Sequence, residues 1–374
     1  MTKIGEGTYS TVYVDNDDDN YVIKVYKRGD DNIKNIVREL ACLTSMRHKA
    51  ILPINHQNIS NANDTFIVKI KKLEKIEFLI PDSLNIFISH ISSALAYSHN
   101  IGIIHNDIKI NNIMFDSVTG WYVLIDWGSA RILTSKYNFC TYMTTPQFRP
   151  PEWLRKEEDI KIDYEGKSDI WALAITAIML IDSLTNLLYI ESENDILEYL
   201  ENEIGRDREV RKRNLSILTY YSLDDCILEI LVDMLDFDPK TRIAASEIVQ
   251  KLGINPLEDT YIDPGVKLII ETNKSKRIFK EMSNWIKKTA KNLQITPSCV
   301  FTSLTLAMKV SERFIVTNNI FELICSTCIN ISAYIYYDDY TDKVLSDYSE
   351  QFSEDDLRDC RNIVLENIKF NVLP

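Results

Sequence analysis

The chain has 374 residues, 45% of them hydrophobic and 26% charged, enough apolar material for a substantial core in two or three domains. Its formal net charge of -13 speaks against a nucleic-acid partner or an anionic membrane surface, both of which need a basic face. The longest apolar run, Trp171 to Ile181, is too short to cross a bilayer, and the N-terminus lacks the charged-then-apolar layout of a secretory signal. An intracellular protein, of cytoplasm or nucleus, is expected. The seven cysteines are scattered, and Cys325 and Cys328 form the one CxxC. Without a second pair or a nearby His this is no zinc pattern, and packing on a helix face is the expected role in a reduced setting.

In chain order, Thr11 to Val14 and Tyr21 to Tyr26 are β-prone runs around the acidic turn Asp15 to Asn20. Asn32 to Met46 reads as a helix with Ile33, Ile36, Val37, Leu40 and Leu43 on one face. From Ser83 to about Leu252 helical patterns dominate, interrupted by two strand signals, IIHNDIKINNIMF and WYVLID. GINPLEDTYIDPG, Gly253 to Gly265, carries two prolines and two glycines with little periodicity, as linkers do. Beyond it the pattern is all helical. Ile278, Met282, Trp285, Ile286 and Leu293 share a face, Thr296 and Pro297 cap the next helix, Asn318 opens a third, and Ser353 with Asp356 opens the last.

The chemistry-bearing residues fall in the first 130. Phosphoryl transfer needs positioning and charge neutralisation more than covalent chemistry, and each part has a candidate in the right order. GEGTYSTV places Gly5 and Gly7 where backbone could approach phosphates, ahead of Val12, with Ser10 at the position of a third glycine. Lys24 lies on the next strand, and Glu39, in the helix, can reach back to it. In GIIHNDIKINNIMF, Asp107 is placed to accept a hydroxyl proton, Lys109 to contact the transferred phosphate and Asn112 to hold magnesium. Asp126 in VLIDWG is the second metal ligand, because magnesium takes a few oxygen donors and keeps water and phosphate oxygens. A lone GxG, strand Lys or helical Glu is usually a turn or a solvated face, and His105 taken alone is a buried structural histidine. The joint order and spacing of the five elements carries the reading.

With those residues in place, residues 1 to 252 resemble a eukaryotic-type protein kinase, most closely the cyclin-dependent kinases. KIGEGTYSTVY and VRELACL resemble that family's glycine loop and cyclin-contacting helix, and TPQFRPPEW, KSDIWALA and LDFDPKTRIAA its later landmarks. The resemblance implies an α+β two-lobed fold and an ATP- and Mg-dependent Ser/Thr kinase acting on protein substrates. It also implies a buried Glu152–Arg242 ion pair and an Asp169 that braces the catalytic loop. Arg149 matches the arginine of the proline-directed group.

Residues 275 to 374, after a linker at 253–274, resemble a single cyclin box, an all-α domain. WIKKTAKNL, TPSCVFTSLTLAMKVSERFIV, NNIFELICSTCINISAYIYYDD and IVLENIKFNV follow that family's helices in order. The Lys and Glu with which cyclins commonly contact the kinase align with Ala333 and Arg361, and the usual Arg of the first helix aligns near Phe279. An unrelated helical bundle is the alternative. A kinase followed by a cyclin-like domain implies an activator carried in cis, with docking in trans also open; a linker of this length sets an effective concentration on the order of mM. A catalytically silent scaffold is the other functional reading, and a small-molecule phosphotransferase is disfavoured by Thr145 and the peptide-platform segment.

The residue before Asp107 is Asn106, where kinases that need activation-loop phosphorylation usually carry Arg. The family's phosphorylated threonine falls at Cys140, with Thr141 adjacent, while Arg38 and Arg131 match the other arginines of the phosphate pocket. A loop that needs no phosphate is expected.

Overall fold

The computed structural model describes residues 2–7, 10–27, 33–54, 59–62, 65–132, 145–155, 166–181, 183–219, 223–255, 273–313, 316, 321–336, 342–349 and 352–368. Its contacts divide the chain into two units, one made of residues 1–46, 53–71 and 262–374, the other of residues 47–52 and 72–261. The strand-rich start and the C-terminal helices therefore share a unit, although the sequence sets a linker at 253–274 between them. Most of that linker lies outside the described residues.

The first unit contains a five-stranded antiparallel sheet. Its strands are β1 (Lys3–Glu6), β2 (Ser10–Val14), β3 (Tyr21–Lys27), β4 (Ile59–Ala62) and β5 (Thr65–Lys71), in the order β1-β2-β3-β5-β4. Strand β5 reads TFIVKIK and buries Phe66, Val68 and Ile70 while Ile67 and Lys69 stay partly exposed, the period of two that one buried face dictates. Helix α1 (Ile33–Ser45) is buried over more than one stripe: besides its apolar face, Arg38, Glu39 and Thr44 are also out of water. A helix enclosed to that extent has packing partners on more than one side.

One partner is a C-terminal helix. Among the described residues the C-terminal helices are α9 (Asn273–Leu293), α10 (Pro297–Arg313), α11 (Phe321–Tyr336), α12 (Asp342–Ser349) and α13 (Glu354–Asn367). Helix α11 is buried without interruption from Ile324 to Ile335, a stretch with no charged residue and with Ser326, Thr327, Asn330 and Ser332 among its apolar side chains, and packs against α1, α9, α10, α12 and α13. Thr296 caps α10 through its hydroxyl to Cys299 N at 3.5 Å, with Pro297 as first residue. Ser353 and Asp356 make the reciprocal capping bonds that start α13, Ser353 N to the Asp356 carboxylate at 2.8 Å and Asp356 N to the Ser353 hydroxyl at 3.1 Å. Asn318 lies outside the described residues. Cys325 and Cys328 are both buried, and burial holds their thiols protonated, well above the usual range. That suits packing.

The second unit is built on α2 (Pro81–Asn100) and α4 (Lys167–Leu180). All fourteen residues of α4 are buried, so the apolar run Trp171 to Ile181 is a core helix. Among the described residues no helix is long and apolar enough to cross a membrane. Around these lie α3 (Pro151–Leu154), α5 (Glu193–Glu203), α6 (Arg208–Leu218), α7 (Asp225–Met234) and α8 (Ala245–Lys251). Two small sheets finish it: β6 (Glu74–Lys75), β8 (Ile113–Asp116) and β9 (Trp121–Leu124) in the order β6-β8-β9, and β7 (Ile103–Ile104) paired with β10 (Arg131–Ile132). The loop from β7 to β8 and the turn after β9 carry the candidate site.

Candidate active site

In the first unit, strand register aligns the phosphate-binding candidates. Gly5 faces Val12 across β1 and β2, Val12 faces Lys24 across β2 and β3, and Lys24 faces Val68 across β3 and β5. Directly paired residues of antiparallel strands share a sheet face, so this row forms one surface. Thr8 and Tyr9 lie outside the described residues. Neither Gly5 nor Gly7 has a positive φ, and a Cβ would meet only ordinary contacts, Val12 at 3.7 Å and the Ser10 hydroxyl at 3.6 Å. The chain itself does not require glycine there, which leaves the backbone bare toward whatever approaches it. Lys24 Nζ donates to Glu39 Oε1 at 2.6 Å, with side-chain exposures of 14% and 6%, and lies 4.7 Å from the Tyr26 ring centroid. The reach of Glu39 to Lys24 is thus made.

In the second unit, the loop after β7 is held by one carboxylate. Asp169, near the start of α4, accepts from His105 N and Asn106 N at 2.8 Å each, and lies 3.0 Å from His99 Nε2. It is 1% exposed, so it is the brace that the sequence resemblance implies. His105 is fully buried; its Nε2 lies 3.0 Å from Ile125 O and its Nδ1 accepts from Asp107 N at 3.3 Å, the structural role expected of it. Asn106 takes φ +66°, a left-handed conformation that Asn tolerates far better than most residues. Its side-chain amide donates to Ser129 O at 3.3 Å, which ties the loop to the segment after Asp126.

Asp107 is half-buried. Its Oδ2 accepts from Lys109 Nζ at 2.8 Å and from Asn112 Nδ2 at 3.0 Å. Lys109 also donates to the Thr145 hydroxyl at 3.1 Å. The Asn112 amide nitrogen bonds Asp107 twice, once at its main-chain oxygen at 2.8 Å, and this turns the Asn112 carbonyl oxygen away as an acceptor. Ile125 N bonds Asn112 O at 3.0 Å, so Asp126 lies one residue from the Asn112 main chain. Asp126 has φ +60°, is half-exposed, and its carboxylate takes no cap bond in the turn it starts. One amide oxygen and one carboxylate, both hard oxygen donors, fit a magnesium ion.

Farther out, Arg242 makes a bidentate pair with Glu152, Nη1 to Oε1 at 2.9 Å and Nη2 to Oε2 at 2.8 Å, at side-chain exposures of 0% and 4%. Arg149 donates to Glu193 at 2.6 Å. Two supports escaped the sequence reading. His99 orients Asp169, and Gly166 makes room for it: at Gly166, φ +76°, a Cβ would fall 2.3 Å from the imidazole. The Gly166→Ala variant is therefore expected to lose about 1–2 kcal/mol from the left-handed backbone alone, more with the clash, as a lower thermal midpoint. The second support is the Tyr334 main-chain oxygen, which accepts from Arg38 Nη2 at 2.9 Å. A backbone atom leaves no trace in residue type. Arg38, expected from the resemblance to line a phosphate pocket, is 1% exposed and donates to α11. Arg131 is buried in β10, and residues 133–144, with Thr134, Ser135, Cys140, Thr141 and Thr144, lie outside the described residues.

Sequence comparison with known proteins points to one family. Residues 1–252 match the family model described as the protein kinase domain. A probable serine/threonine-protein kinase of Dictyostelium discoideum is 26% identical over 285 residues, covering 67% of this chain and 46% of that protein. The serine/threonine-protein kinase pakC of the same organism is 34% identical over 197 residues, 47% of this chain and 38% of the relative. The mitogen-activated protein kinase HOG1 of Gibberella zeae is 23% identical over 256 residues, 62% and 70% respectively. The chain thus spans less than half the length of the first two of these relatives. With the kinase model covering residues 1–252, in which all the catalytic-site candidates lie, the chain belongs to the protein kinase family.

Proposed function

We propose that the protein is a Ser/Thr protein kinase of the cyclin-dependent type, using Mg-ATP and carrying a cyclin-like activating domain at residues 275–374. ATP supplies the phosphoryl group, and magnesium offsets the charge that builds on its oxygens. Lys24, held by Glu39, would meet phosphate oxygens, the bare backbone of Gly5 and Gly7 would accommodate the phosphates, and Val12, on the same sheet surface as Lys24, would contact the base. Asn112 and Asp126 would hold the metal. Asp107 orients the attacking hydroxyl and takes its proton, and Lys109 stabilises the transferred charge while its bond to Thr145 places the peptide platform beside it. Relatives named as serine/threonine-protein kinases support the substrate class.

The observation that carries the cis-activator reading is the burial of α1 by the chain's own C-terminal helices. Helix α11 packs on α1, Arg38 donates to Tyr334 O at 2.9 Å, Lys34 Nζ lies 5.6 Å from the Tyr334 ring centroid, and the adjacent Glu39 is engaged with Lys24 at 2.6 Å. An activator that held the glutamate-bearing helix in place would make such contacts. The test is Arg38→Met in the full chain, assayed on a degenerate Ser/Thr peptide mixture. A drop in kcat of about tenfold or more is expected, the size of one hydrogen bond to a charged group. Unchanged kcat in the folded variant would remove the cis-activator reading.

The same contact bears on regulation. Arg38 is engaged by α11, and Asn106, which has no charge, is engaged by Ser129 O. The activation segment is accordingly expected to need no phosphate. Phosphatase-treated protein and the variant with Thr134, Ser135, Thr141 and Thr144 all changed to Ala should keep most activity toward peptide. A loss beyond ~100-fold, about 2.7 kcal/mol in the barrier, in both preparations would show that a phosphate is needed.

A further inference from the structure

Helix α11 ends at Tyr336, so the carbonyl of Tyr334 belongs to its last turn, the part of a helix whose carbonyls take hydrogen-bond partners from outside it. Arg38 supplies one from α1, its guanidinium lying where the negative end of the α11 dipole favours a cation. Arg38 Nη1 is also bonded to Asn35 Oδ1 at 3.0 Å. Arg38 precedes Glu39, so the last turn of α11 sets the position of the helix segment that presents Glu39 to Lys24.

That last turn is itself gripped from α13. Arg361 is 1% exposed; its Nη1 donates to the Tyr334 hydroxyl at 2.6 Å and to Asn330 Oδ1 at 3.0 Å, and its guanidinium carbon lies 5.0 Å from the Tyr334 ring centroid. Tyr334 is 5% exposed and Asn330 fully buried. One arginine thus fixes the phenol by edge and face while a second takes the carbonyl of the same residue. Resting on the cis-activator reading, we infer that Arg361 is a positioning residue for phosphoryl transfer: through Tyr334 it holds the main-chain oxygen that anchors Arg38, and so keeps Glu39 on Lys24. This gives a role to the arginine at a position where the cyclin resemblance leads one to expect an acid. Ala333 beside Tyr334 is buried and leaves the contact to the backbone.

The test uses the full chain with four variants, Arg361→Met, Arg361→Lys, Tyr334→Phe and Arg38→Met, and the double variant Arg361→Met/Arg38→Met. Each is assayed for kcat and KM on the degenerate peptide mixture and for amide exchange over residues 33–45. Arg361→Met is expected to lower kcat about tenfold, leave the peptide KM unchanged and speed exchange around Arg38, with Lys restoring part of the loss. Tyr334→Phe, which keeps the ring and the carbonyl, should fall between the two and carries the test if Arg361→Met unfolds the bundle. Because Arg361 acts through Arg38, the double variant should be no worse than Arg38→Met alone; two additive losses would overturn the relay. If Arg38→Met loses activity while folded Arg361→Met and Tyr334→Phe keep full kcat and unchanged exchange, the relay is wrong and the cis-activator reading stands. If none of the variants loses activity, both fall.

Discussion

Asp107→Asn is expected to lower kcat by about 10²–10⁴-fold, the usual contribution of a positioned general base, with the fold intact. The substitution keeps the shape of the side chain and removes the carboxylate that accepts from Lys109 at 2.8 Å and from Asn112 at 3.0 Å. Both donors face an amide afterwards, so Lys109 and Asn112, the proposed metal ligand, lose an anchor together with the proposed base. Lys24→Met, in the other unit, should cost about 10²–10³-fold, as loss of a preorganised charge at a developing anion does; it also leaves Glu39 buried without the lysine that meets it at 2.6 Å. Single-turnover phosphorylation of the peptide mixture, compared with circular dichroism of each variant, checks both. Retained activity in either variant would remove the role assigned to that residue, absence of phosphotransfer in the unmodified protein would favour a scaffold role, and a tyrosine-only product would remove the Ser/Thr assignment.

The largest expected loss of stability is at Arg242. Its guanidinium is fully buried, makes the bidentate pair with Glu152, donates Nε to Asp236 O at 2.8 Å and Nη1 to Lys167 O at 3.1 Å, and lies 5.1 Å from the Trp171 ring centroid. Arg242→Met strands the Glu152 carboxylate and two carbonyls in the core. Breaking one partner of such a pair typically costs about 3–5 kcal/mol, a fall in Tm of roughly 6–20 °C for a unit of this size. Replacing both partners, as in Glu152→Leu with Arg242→Met, should recover a good part of the loss because no charge is then left uncompensated. Thermal melts of the two variants decide it; a double variant less stable than the single one would contradict the desolvation argument.

Much of the site was legible in the sequence because the chemistry is carried by side chains at short spacing within single loops. Asp107, Lys109 and Asn112 fall within six residues, and Asp126 follows one hairpin later, where the pairing of β8 with β9 returns the chain to the loop. Gly5, Val12 and Lys24 are likewise set by the register of adjoining strands. The strands β1, β4 and β5 and helix α12 are not singled out by the sequence reading: β1 and β4 have four residues each and α12 has eight, too few for a period to stand out, and the alternation of TFIVKIK, broken by the apolar Ile67, is settled by its pairing with β3 and β4.

By its own residues the sequence determined the kinase-like order of parts, the caps Thr296 and Ser353 and the apolar run of helix α4, all of which rest on residue type and local period, while the Glu152–Arg242 pair was implied by the family resemblance. Only the tertiary structure decided that Arg38 donates to the main-chain oxygen of Tyr334, that Arg361 grips the same tyrosine, and that Gly166 is there to admit His99. The physical reason is common to all three. A long arginine reaches any acceptor within several ångströms, a main-chain carbonyl is identical in every residue, and the space that a missing Cβ leaves has meaning only once its neighbour 67 positions earlier in the chain is packed against it.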